Sequence, residues 1–319
     1  MGKVIIGIHG LGNKPPKPVL ENWWKASINE GLQKIGKADT EYKFELIFWA
    51  DILHKNLLDE NITDPDSPLF LTERYAPAAK EFIPENNHKR RKVLDFLSKE
   101  LDSIFLNKDL TLNYSFITDA ILKRWFSDLD IYYKENCKDS EICKVKDRIR
   151  KKTVEAITKF RGEEILLIAH SMGSIISYDV LTFDKEIVPI DTFITIGSPL
   201  GTPVVKSKIA AERKLKLSDN KRLSTPLSIK RHWYNFSDLE DKVAYNYQLA
   251  DDYSFNKYLV KPNDYIVNND YESNGIRNPH KSYGYLRTPE VATKIARFLE
   301  RRNPNNFERW VKNILKIFK

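Results

Sequence analysis

The sequence predicts an α/β fold in which a doubly wound, mainly parallel sheet of about six strands carries a mostly helical insertion. Short β-type runs alternate along the 319-residue chain with helical patterns, as they do where helical crossovers join parallel strands. The runs are almost continuously apolar, which is typical of strands that helices cover on both faces. The predicted strands are residues 3–8, 44–50, 164–169, 191–196, 232–236 and 265–268.

The second and third predicted strands are separated by residues 51–163, a stretch much longer than one crossover helix. We therefore expect residues 52–140 to be an insertion into a core formed by residues 1–51 and 141–302. Its later part carries two apolar stripes at helical spacing, Val93, Leu94, Leu97, Leu101, Ile104 and Phe105, followed by Ile117, Ile121, Trp125 and Leu129. Because such sheets bind ligands at the carboxyl ends of their strands, helices inserted there predict a cap or lid, with a structural side lobe as the alternative.

The composition is that of an ordinary soluble globular protein, with 41% hydrophobic and 30% charged residues. Cys137 and Cys143 have neither metal-site spacing nor a context that suggests a disulfide, which fits a reducing compartment. The amino-terminal residues lack the architecture of a signal peptide, and no apolar run approaches the roughly 20 residues that span a bilayer. The sequence thus predicts a cytoplasmic protein.

Lysine and arginine give the chain a net charge of +8 and cluster in residues 88–92 and 206–231. Such segments either form solvated loops or meet anionic surfaces. No helix-turn-helix, zinc-finger or RNA-binding signature accompanies them, so we expect no nucleic-acid partner, whereas peripheral membrane contact is compatible with them. Residues 303–319 predict a basic amphipathic helix, which would lie in a membrane interface or dock on the core or a partner subunit. The sequence does not determine the oligomeric state.

The most informative segment is residues 164–181, in which an apolar strand runs through Ala-His-Ser-Met-Gly into a helical pattern. This arrangement is a nucleophile elbow, G-x-S-x-G, with Ala169 in place of the first glycine. The positions two residues before and after the serine must be small, because the strained turn packs closely on its neighbours. The turn exposes the serine Oγ at the start of a helix, whose positive end favours developing negative charge. We therefore predict that Ser171 is a catalytic nucleophile.

A serine hydroxyl needs a base, and the base needs an orienting carboxylate. In folds with this elbow the chain order is serine, acid, histidine. Two histidines follow Ser171, namely His232 and His280. His232 opens a predicted strand and would lie at the opposite end of the sheet, whereas His280 follows the last strand in a polar loop. We predict that His280 is the base.

The acid is expected in the loop after the strand that ends near Phe236. Asp238, Glu240 and Asp241 all lie there. Asp241 precedes a valine by two residues, which is a frequent arrangement at this loop and favours Asp241. Asp238 stays the alternative acid.

An oxyanion hole requires two backbone N–H groups directed at the tetrahedral intermediate. Met172, directly after the nucleophile, is expected to supply one. The second is expected from the glycine-rich turn at residues 8–13, with Leu11 as the first choice and Gly10 as the second. The turn lacks both the G-x-G-x-x-G spacing and a Walker lysine, which disfavours a nucleotide loop. No histidine–carboxylate cluster has metal spacing, so we predict neither a metal nor a cofactor.

These features resemble the α/β-hydrolase superfamily on its lipase and esterase side. Ala-His-Ser-Met-Gly at residues 169–173 is similar to the elbow of small bacterial lipases that also begin with alanine. The segments 196–201 and 235–245 resemble DDHD-type intracellular phospholipases A1. The pattern N-x-x-x-x-x-D-P-V-A-Y of that group places its catalytic aspartate on Asp241, with Lys242 in place of the proline. The resemblance does not extend to residues 52–140.

The resemblance implies a serine hydrolase that cleaves a lipid or acyl ester through an acyl-enzyme, with a triad of Ser171, His280 and Asp241. A thioesterase or an acyltransferase would use the same triad, and a non-catalytic binding protein would use the same fold. These are the alternative functions. The sequence lacks the metal-binding-like signature of a DDHD domain, so ester cleavage carries over more directly than a particular head group. The expected partner is a small-molecule or lipid ester substrate.

Overall fold

The structure is a computed structural model, and it describes residues 2–78, 90–96, 106, 132–133, 145–213 and 222–302. Its strands are β1 (Lys3–Ile8), β2 (Lys43–Ile47), β3 (Glu164–His170), β4 (Ile190–Ile196), β5 (Leu223–Ser224), β6 (Ile229–Ser237), β7 (Tyr253–Ser254), β8 (Pro262–Ile266), β9 (Glu272–Ser273) and β10 (Ile276–Arg277). Its helices are α1 (Lys17–Lys34), α2 (Ala50–Leu53), α3 (Val145–Thr158), α4 (Met172–Phe183), α5 (Pro203–Glu212), α6 (Leu249–Asp252), α7 (Ser282–Leu286) and α8 (Pro289–Glu300). Residues 90–96 are helical as well.

The central element is a six-stranded sheet in the order β2-β1-β3-β4-β6-β8, in which every neighbouring pair is parallel. The fold class predicted from the sequence is therefore confirmed. The strand order reverses direction at β1, whose neighbours are β2 on one side and β3 on the other. In open parallel sheets the crevice outside the carboxyl ends of the strands at such a reversal is the usual ligand site.

The two faces of the sheet are covered by different helices. Leu20, Trp24 and Ile28 of α1 pack on one face with α7 and α8, while α3, α4 and α5 pack on the other. Successive side chains of a strand point to opposite faces, so a strand that is covered on both faces must be apolar at every position. This requirement explains the continuous apolar runs.

Three predicted strands have a boundary that differs from the structure by three residues, and the other boundaries differ by two residues at most. β2 ends at Ile47 instead of residue 50, because the backbone N–H groups of Trp49 and Ala50 donate to Nε2 of the buried His9 side chain, at 3.0 and 3.3 Å. β6 begins at Ile229 instead of residue 232, so His232 lies inside the strand. β8 covers residues 262–266 instead of 265–268 and starts with a proline. A proline has no N–H to donate to a neighbouring strand, and it is tolerated here because it is the first residue of an edge strand.

Two described segments of the 52–140 insertion, around residues 56–58 and at Arg90, contact loops at the carboxyl edge of the sheet. The Asn13 side chain donates to the Asn56 carbonyl at 2.9 Å, and Leu58 N–H donates to the Lys14 carbonyl at 3.0 Å. The guanidinium of Arg90 donates to the Leu239 carbonyl at 2.6 Å. Most of both helical stripes, the two cysteines and the predicted helix 303–319 lie outside the described residues, so the lid and the domain limits stay predictions. Among the helices that the structure describes, none has the length and apolar character to cross a bilayer.

A buried ionic cluster joins the insertion to the helix that follows Ser171. Asp179 of α4 is fully buried, and one of its carboxylate oxygens accepts from the Tyr132 hydroxyl and the Arg150 guanidinium, each at 2.7 Å. Arg150 also pairs with Glu212 at 2.7 Å. Burial raises the pKa of Asp179, and the neighbouring Arg150 guanidinium only partly offsets this effect. A buried carboxylate of this kind depends on its cationic partner.

We expect the Arg150→Met variant to lower the free energy of unfolding by about 3–5 kcal/mol, because it leaves the buried Asp179 without its cation. Urea denaturation followed by circular dichroism measures this change. The matched control is Lys151→Met, since Lys151 is exposed and lies 3.9 Å from Glu155, and its change should stay within about 0.5 kcal/mol. Equal effects of the two variants would contradict a special role for the buried cluster.

Candidate active site

The elbow at Ser171 has a strained backbone. Ser171 stands between β3 and α4 with φ 52° and ψ −126°, a conformation that residues with a side chain rarely adopt. Such a residue costs about 1–3 kcal/mol and persists only where its surroundings hold it. Here Ser171 N–H donates to the carbonyl of Ile196 at the end of β4, at 3.1 Å. The turn therefore lies at the carboxyl ends of β3 and β4.

Close backbone contacts explain which positions around the serine must be small. A Cβ atom added to Gly173 would lie 2.7 Å from the carbonyl oxygens of both Ile8 and His9, so α4 can approach β1 only because residue 173 is glycine. A Cβ on Gly10 would lie 2.7 Å from Cβ of Ser171. Ala169 is fully buried, and its methyl group is small enough for the position two residues before the serine.

The structure brings the three predicted residues Ser171, His280 and Asp241 together in one hydrogen-bond chain. His280 Nε2 lies 3.0 Å from Ser171 Oγ, and His280 Nδ1 lies 2.8 Å from Asp241 Oδ2. Since a carboxylate only accepts, the Nδ1 atom donates to Asp241, and the Nε2 atom of the neutral ring accepts from the serine hydroxyl. Ser171 and Asp241 are buried, whereas the side chain of His280 is about a quarter exposed.

Asp238, the alternative acid, is held elsewhere. Its Oδ2 accepts from the Arg277 guanidinium at 2.8 Å and from Asn269 N–H at 2.7 Å. Burial raises the pKa of Asp238, and this effect outweighs the N–H groups and the arginine that favour the charged form. The structure therefore joins Asp241, and not Asp238, to the histidine. Tyr285 links the two, because its hydroxyl donates to Asp241 Oδ2 and accepts from Asp238 N–H, both at 2.8 Å.

The loop that carries His280 is anchored through its backbone. The Asn278 side chain accepts from His280 N–H at 3.0 Å, and the Asn269 side chain donates to the carbonyls of Pro279 and Lys281 at 2.9 and 2.8 Å. His170, the residue before the serine, has its Nε2 atom 2.7 Å from the His280 carbonyl. Because a carbonyl only accepts, this nitrogen carries the proton. The elbow and the loop that carries His280 are thus bonded to each other directly.

Glu73, which lies in the insertion, also bonds to the loop that carries His280. Its carboxylate accepts from the Asn278 side chain at 2.5 Å and from the Lys281 ammonium at 2.7 Å. Burial raises the pKa of Glu73, but Lys281 and Asn278 lower it by more, so the net shift is downward and the carboxylate is charged at neutral pH. The start of the insertion therefore shares hydrogen bonds with the residue that fixes the His280 backbone.

The glycine-rich turn at residues 8–13 is shaped by His9. Since His9 Nε2 accepts from the backbone of Trp49 and Ala50, Nδ1 carries the proton and donates to the Gly10 carbonyl at 2.9 Å. In a trans peptide the following N–H, that of Leu11, points away from this carbonyl and hence away from His9. Met172 N–H lies at the first position of α4. These two N–H groups and the Gly10 alternative stay predicted donors.

A cavity of about 290 Å³ opens beside this turn and the loop that carries His280. Leu11, Leu20, Val243 and Tyr283 supply apolar lining, whereas Lys14, Glu73, Asn278 and Lys281 supply polar lining. The cavity lining includes His280 and Gly10, both of which contact Ser171, while Ser171 itself is not part of the lining. Within the described ranges, no group of histidine, cysteine and acidic side chains is arranged to hold a metal ion.

Sequence reasoning missed three residues at the site. Gly197 has φ 54°, and a Cβ there would lie 2.8 Å from Asp241 Oδ2 and 3.1 Å from His280 Nδ1. Tyr285 and Glu73 make contacts across long chain separations, which no local pattern reveals. A glycine directly after an apolar strand was the available signal for Gly197.

A family model described as the PGAP1-like alpha/beta domain matches residues 84–293, about two thirds of the chain. The matched range contains Ser171, Asp241 and His280, and it begins after the turn that carries Gly10 and Leu11. No curated protein matches the sequence.

We expect the fold to lose stability as the pH falls below about 6.5, because two buried histidines must gain a proton on unfolding. Burial is the main cause that lowers the pKa of His9 and of His170 well below the ordinary value. The unfolded chain therefore binds more protons, and this contribution to stability is present above pH 6.5 and is lost as the pH falls. Each histidine contributes a slope of up to about 1.4 kcal/mol per pH unit.

Urea unfolding from pH 8 to pH 5 measures this slope. The His170→Gln variant keeps a side-chain donor for the His280 carbonyl but does not titrate, so the slope should fall by roughly one histidine. A slope that is the same in His170→Gln and in the wild type would contradict the buried neutral imidazole.

Proposed function

The chain belongs to the PGAP1-like alpha/beta family and is a hydrolase of the alpha/beta fold, and on this premise we propose that it cleaves carboxylic esters with Ser171 as the nucleophile. The observation that carries the proposal is the hydrogen-bond chain from Ser171 Oγ through the His280 ring to Asp241, with links of 3.0 and 2.8 Å. Geometry of this kind is what a serine needs to become nucleophilic at neutral pH.

In the proposed reaction Ser171 Oγ attacks the ester carbonyl while His280 Nε2 takes its proton. His280 then gives the proton to the leaving alcohol, and the acyl group stays on the serine. A water molecule, deprotonated by the same nitrogen, releases the acid and restores the enzyme. Asp241 holds the ring with Nδ1 protonated and stabilises the imidazolium that forms in each step.

The negative charge on the tetrahedral oxygen would be stabilised by the N–H groups of Met172 and Leu11. Two features support this assignment. The Gly10 turn contacts Ser171, and His9 Nδ1 bonds to the Gly10 carbonyl. The Leu11 N–H of the same trans peptide therefore points away from that carbonyl and from His9. The start of α4 at Met172 adds the positive end of a helix.

We propose an acyl or lipid ester as the substrate. The cavity of about 290 Å³ supports this class, because its apolar lining by Leu20, Val243 and Tyr283 suits hydrocarbon while Lys14, Glu73 and Lys281 suit a polar group. The resemblance to lipases points to the same chemistry.

We expect fluorophosphonate labelling and p-nitrophenyl ester hydrolysis in the wild type, and neither in Ser171→Ala. Asp241→Asn should lower kcat by about 1,000- to 10,000-fold, because an amide cannot hold the protonated imidazole. The matched control is Asp238→Asn, which changes a neighbouring buried carboxyl bonded to Arg277 and should keep kcat within about tenfold. Labelling of Ser171→Ala, or a larger loss in Asp238→Asn than in Asp241→Asn, would refute the assignment.

We also expect Gly197→Ala to lower kcat by about 100-fold, since its methyl group would displace the Asp241–His280 pair. Gly36→Ala is the control for backbone strain. Gly36 has a similar positive φ of 72°, but nothing lies within 4 Å of its added Cβ. Both variants should lose about 1 kcal/mol of stability through the positive φ, Gly197→Ala should lose more through the collision, and only Gly197→Ala should lose turnover. Unfolding curves and steady-state hydrolysis separate the two effects, and normal turnover in Gly197→Ala would contradict the crowding argument.

A further inference from the structure

Two short loops at the amino ends of the strands expose a group of large apolar side chains. One loop precedes β6 and carries Leu227, and the other precedes β8 and carries Phe255, Tyr258 and Leu259. Leu259 is 81% exposed, and Phe255 and Leu227 are more than half exposed. We call these four side chains the Leu259 patch. Exposed apolar groups of this size usually mark an interaction site when they are adjacent.

The two loops are tied together by one buried amide. The Asn256 side chain donates to the carbonyls of Pro226 and Ile229 at 3.0 and 2.9 Å. Its oxygen accepts from the N–H groups of Tyr258 and Val260 at 2.9 and 3.1 Å. The amide thereby uses two donated and two accepted hydrogen bonds to shape the loops. The patch is therefore a fixed surface.

Leu259 stands at the tip of its loop in an unfavourable conformation. Its φ is 58°, in the left-handed region where glycine and asparagine are the ordinary residues. A leucine here is strained and also exposes its apolar side chain to water. Neither feature stabilises the folded chain by itself. A bound state in which the Leu259 side chain is covered would account for its exposure.

Lysines surround the apolar tips. The Lys230 ammonium lies 4.1 Å and that of Lys257 5.2 Å from the centre of the Tyr258 ring, and Lys261 lies 5.2 Å from the centre of the Phe255 ring. Beside the patch is a groove of about 720 Å³, whose lining includes three cations, Arg213, Lys230 and Lys257, against one acid, Asp184. Apolar tips with a cationic border match the boundary between headgroups and acyl chains of an anionic bilayer.

We propose that the Leu259 patch docks the protein on anionic phospholipid membranes. Leu259, Phe255 and Leu227 enter the interface, and the lysine ammonium groups stay at the level of the headgroups. This inference does not depend on the proposed ester chemistry. It narrows the membrane contact compatible with the basic segments to two loops that lie in the described residues.

The position of the patch has a consequence for orientation. The patch lies at the amino ends of β6 and β8, whereas Ser171 lies at the carboxyl ends of β3 and β4. A protein bound through the patch keeps its candidate active site on the side away from that bilayer. Membrane binding and turnover of a water-soluble ester are therefore expected to be separable.

Co-sedimentation tests the proposal with vesicles of phosphatidylcholine alone and of phosphatidylcholine mixed with phosphatidylserine. We expect the wild type to bind the mixed vesicles and to bind pure phosphatidylcholine much less. Raising the salt from about 0.1 M to about 1 M shortens the screening length from about 10 Å to about 3 Å and should weaken binding strongly. Leu259→Asp should bind the mixed vesicles at least about tenfold more weakly, since it removes an inserted leucine. Lys257→Gln should cost about fivefold.

The matched control is Ile276→Asp, because Ile276 is 72% exposed but lies in β10, outside the patch. It should bind as the wild type does. Folding of Leu259→Asp is checked by its melting temperature, which should not fall, because aspartate tolerates a positive φ better than leucine does. Absence of binding by the wild type, equal binding to both vesicle types, or equal losses in Leu259→Asp and Ile276→Asp would each overturn the proposal.

Discussion

The candidate site depends on the buried carboxylate of Asp241. A carboxylate that is buried away from water needs hydrogen-bond donors from the protein, and here each of its oxygens accepts two hydrogen bonds. Oδ1 accepts from the N–H groups of Val243 and Ala244, while Oδ2 accepts from the His280 ring and the Tyr285 hydroxyl. The first pair fixes the position of the carboxylate on its own loop. The second pair transmits that position to the imidazole, whose other nitrogen reaches Ser171. Weakening either pair would let the ring turn away from the serine.

Donors alone do not bring these groups together, because three loops must also approach one another closely. Gly10 touches Ser171, Gly173 touches the end of β1, and Gly197 touches the Asp241–His280 pair, each at a distance where a Cβ atom would collide. Gly197 directly follows β4, Gly10 lies two residues after the end of β1, and Gly173 lies two residues after Ser171. The parallel sheet places the carboxyl ends of β1, β3 and β4 side by side, and the missing side chains let the loops above them converge.

The fold and the residues that the structure brings together at the candidate site could be predicted from the sequence, because both leave local patterns. Apolar runs report strands buried on two faces, and the elbow combines a strand, a turn and a helix within residues 164–181. Chain order then selected His280. Contacts between distant segments leave no such pattern. Glu73 meets Lys281 across more than two hundred residues, and Tyr285 reaches Asp241 from a different element. For the same reason β2 was predicted too long, since the histidine that captures its last N–H groups lies in another loop.

Strained backbone occurs both at the candidate active site and in the Leu259 patch, which lie at opposite ends of the parallel strands. Among the described residues, the non-glycine positions with positive φ are Ser171, Leu259 and Asn274. Asparagine adopts this conformation readily, whereas serine and leucine do so at a cost. Ser171 is held by the Ile196 carbonyl and Leu259 by the loop around Asn256. The strained turn at Ser171 places the buried hydroxyl beside His280 Nε2, as the proposed reaction needs. Strain at the exposed Leu259 brings no such gain within the described part of the chain, and this is one reason for the proposal that the Leu259 patch binds a surface outside it.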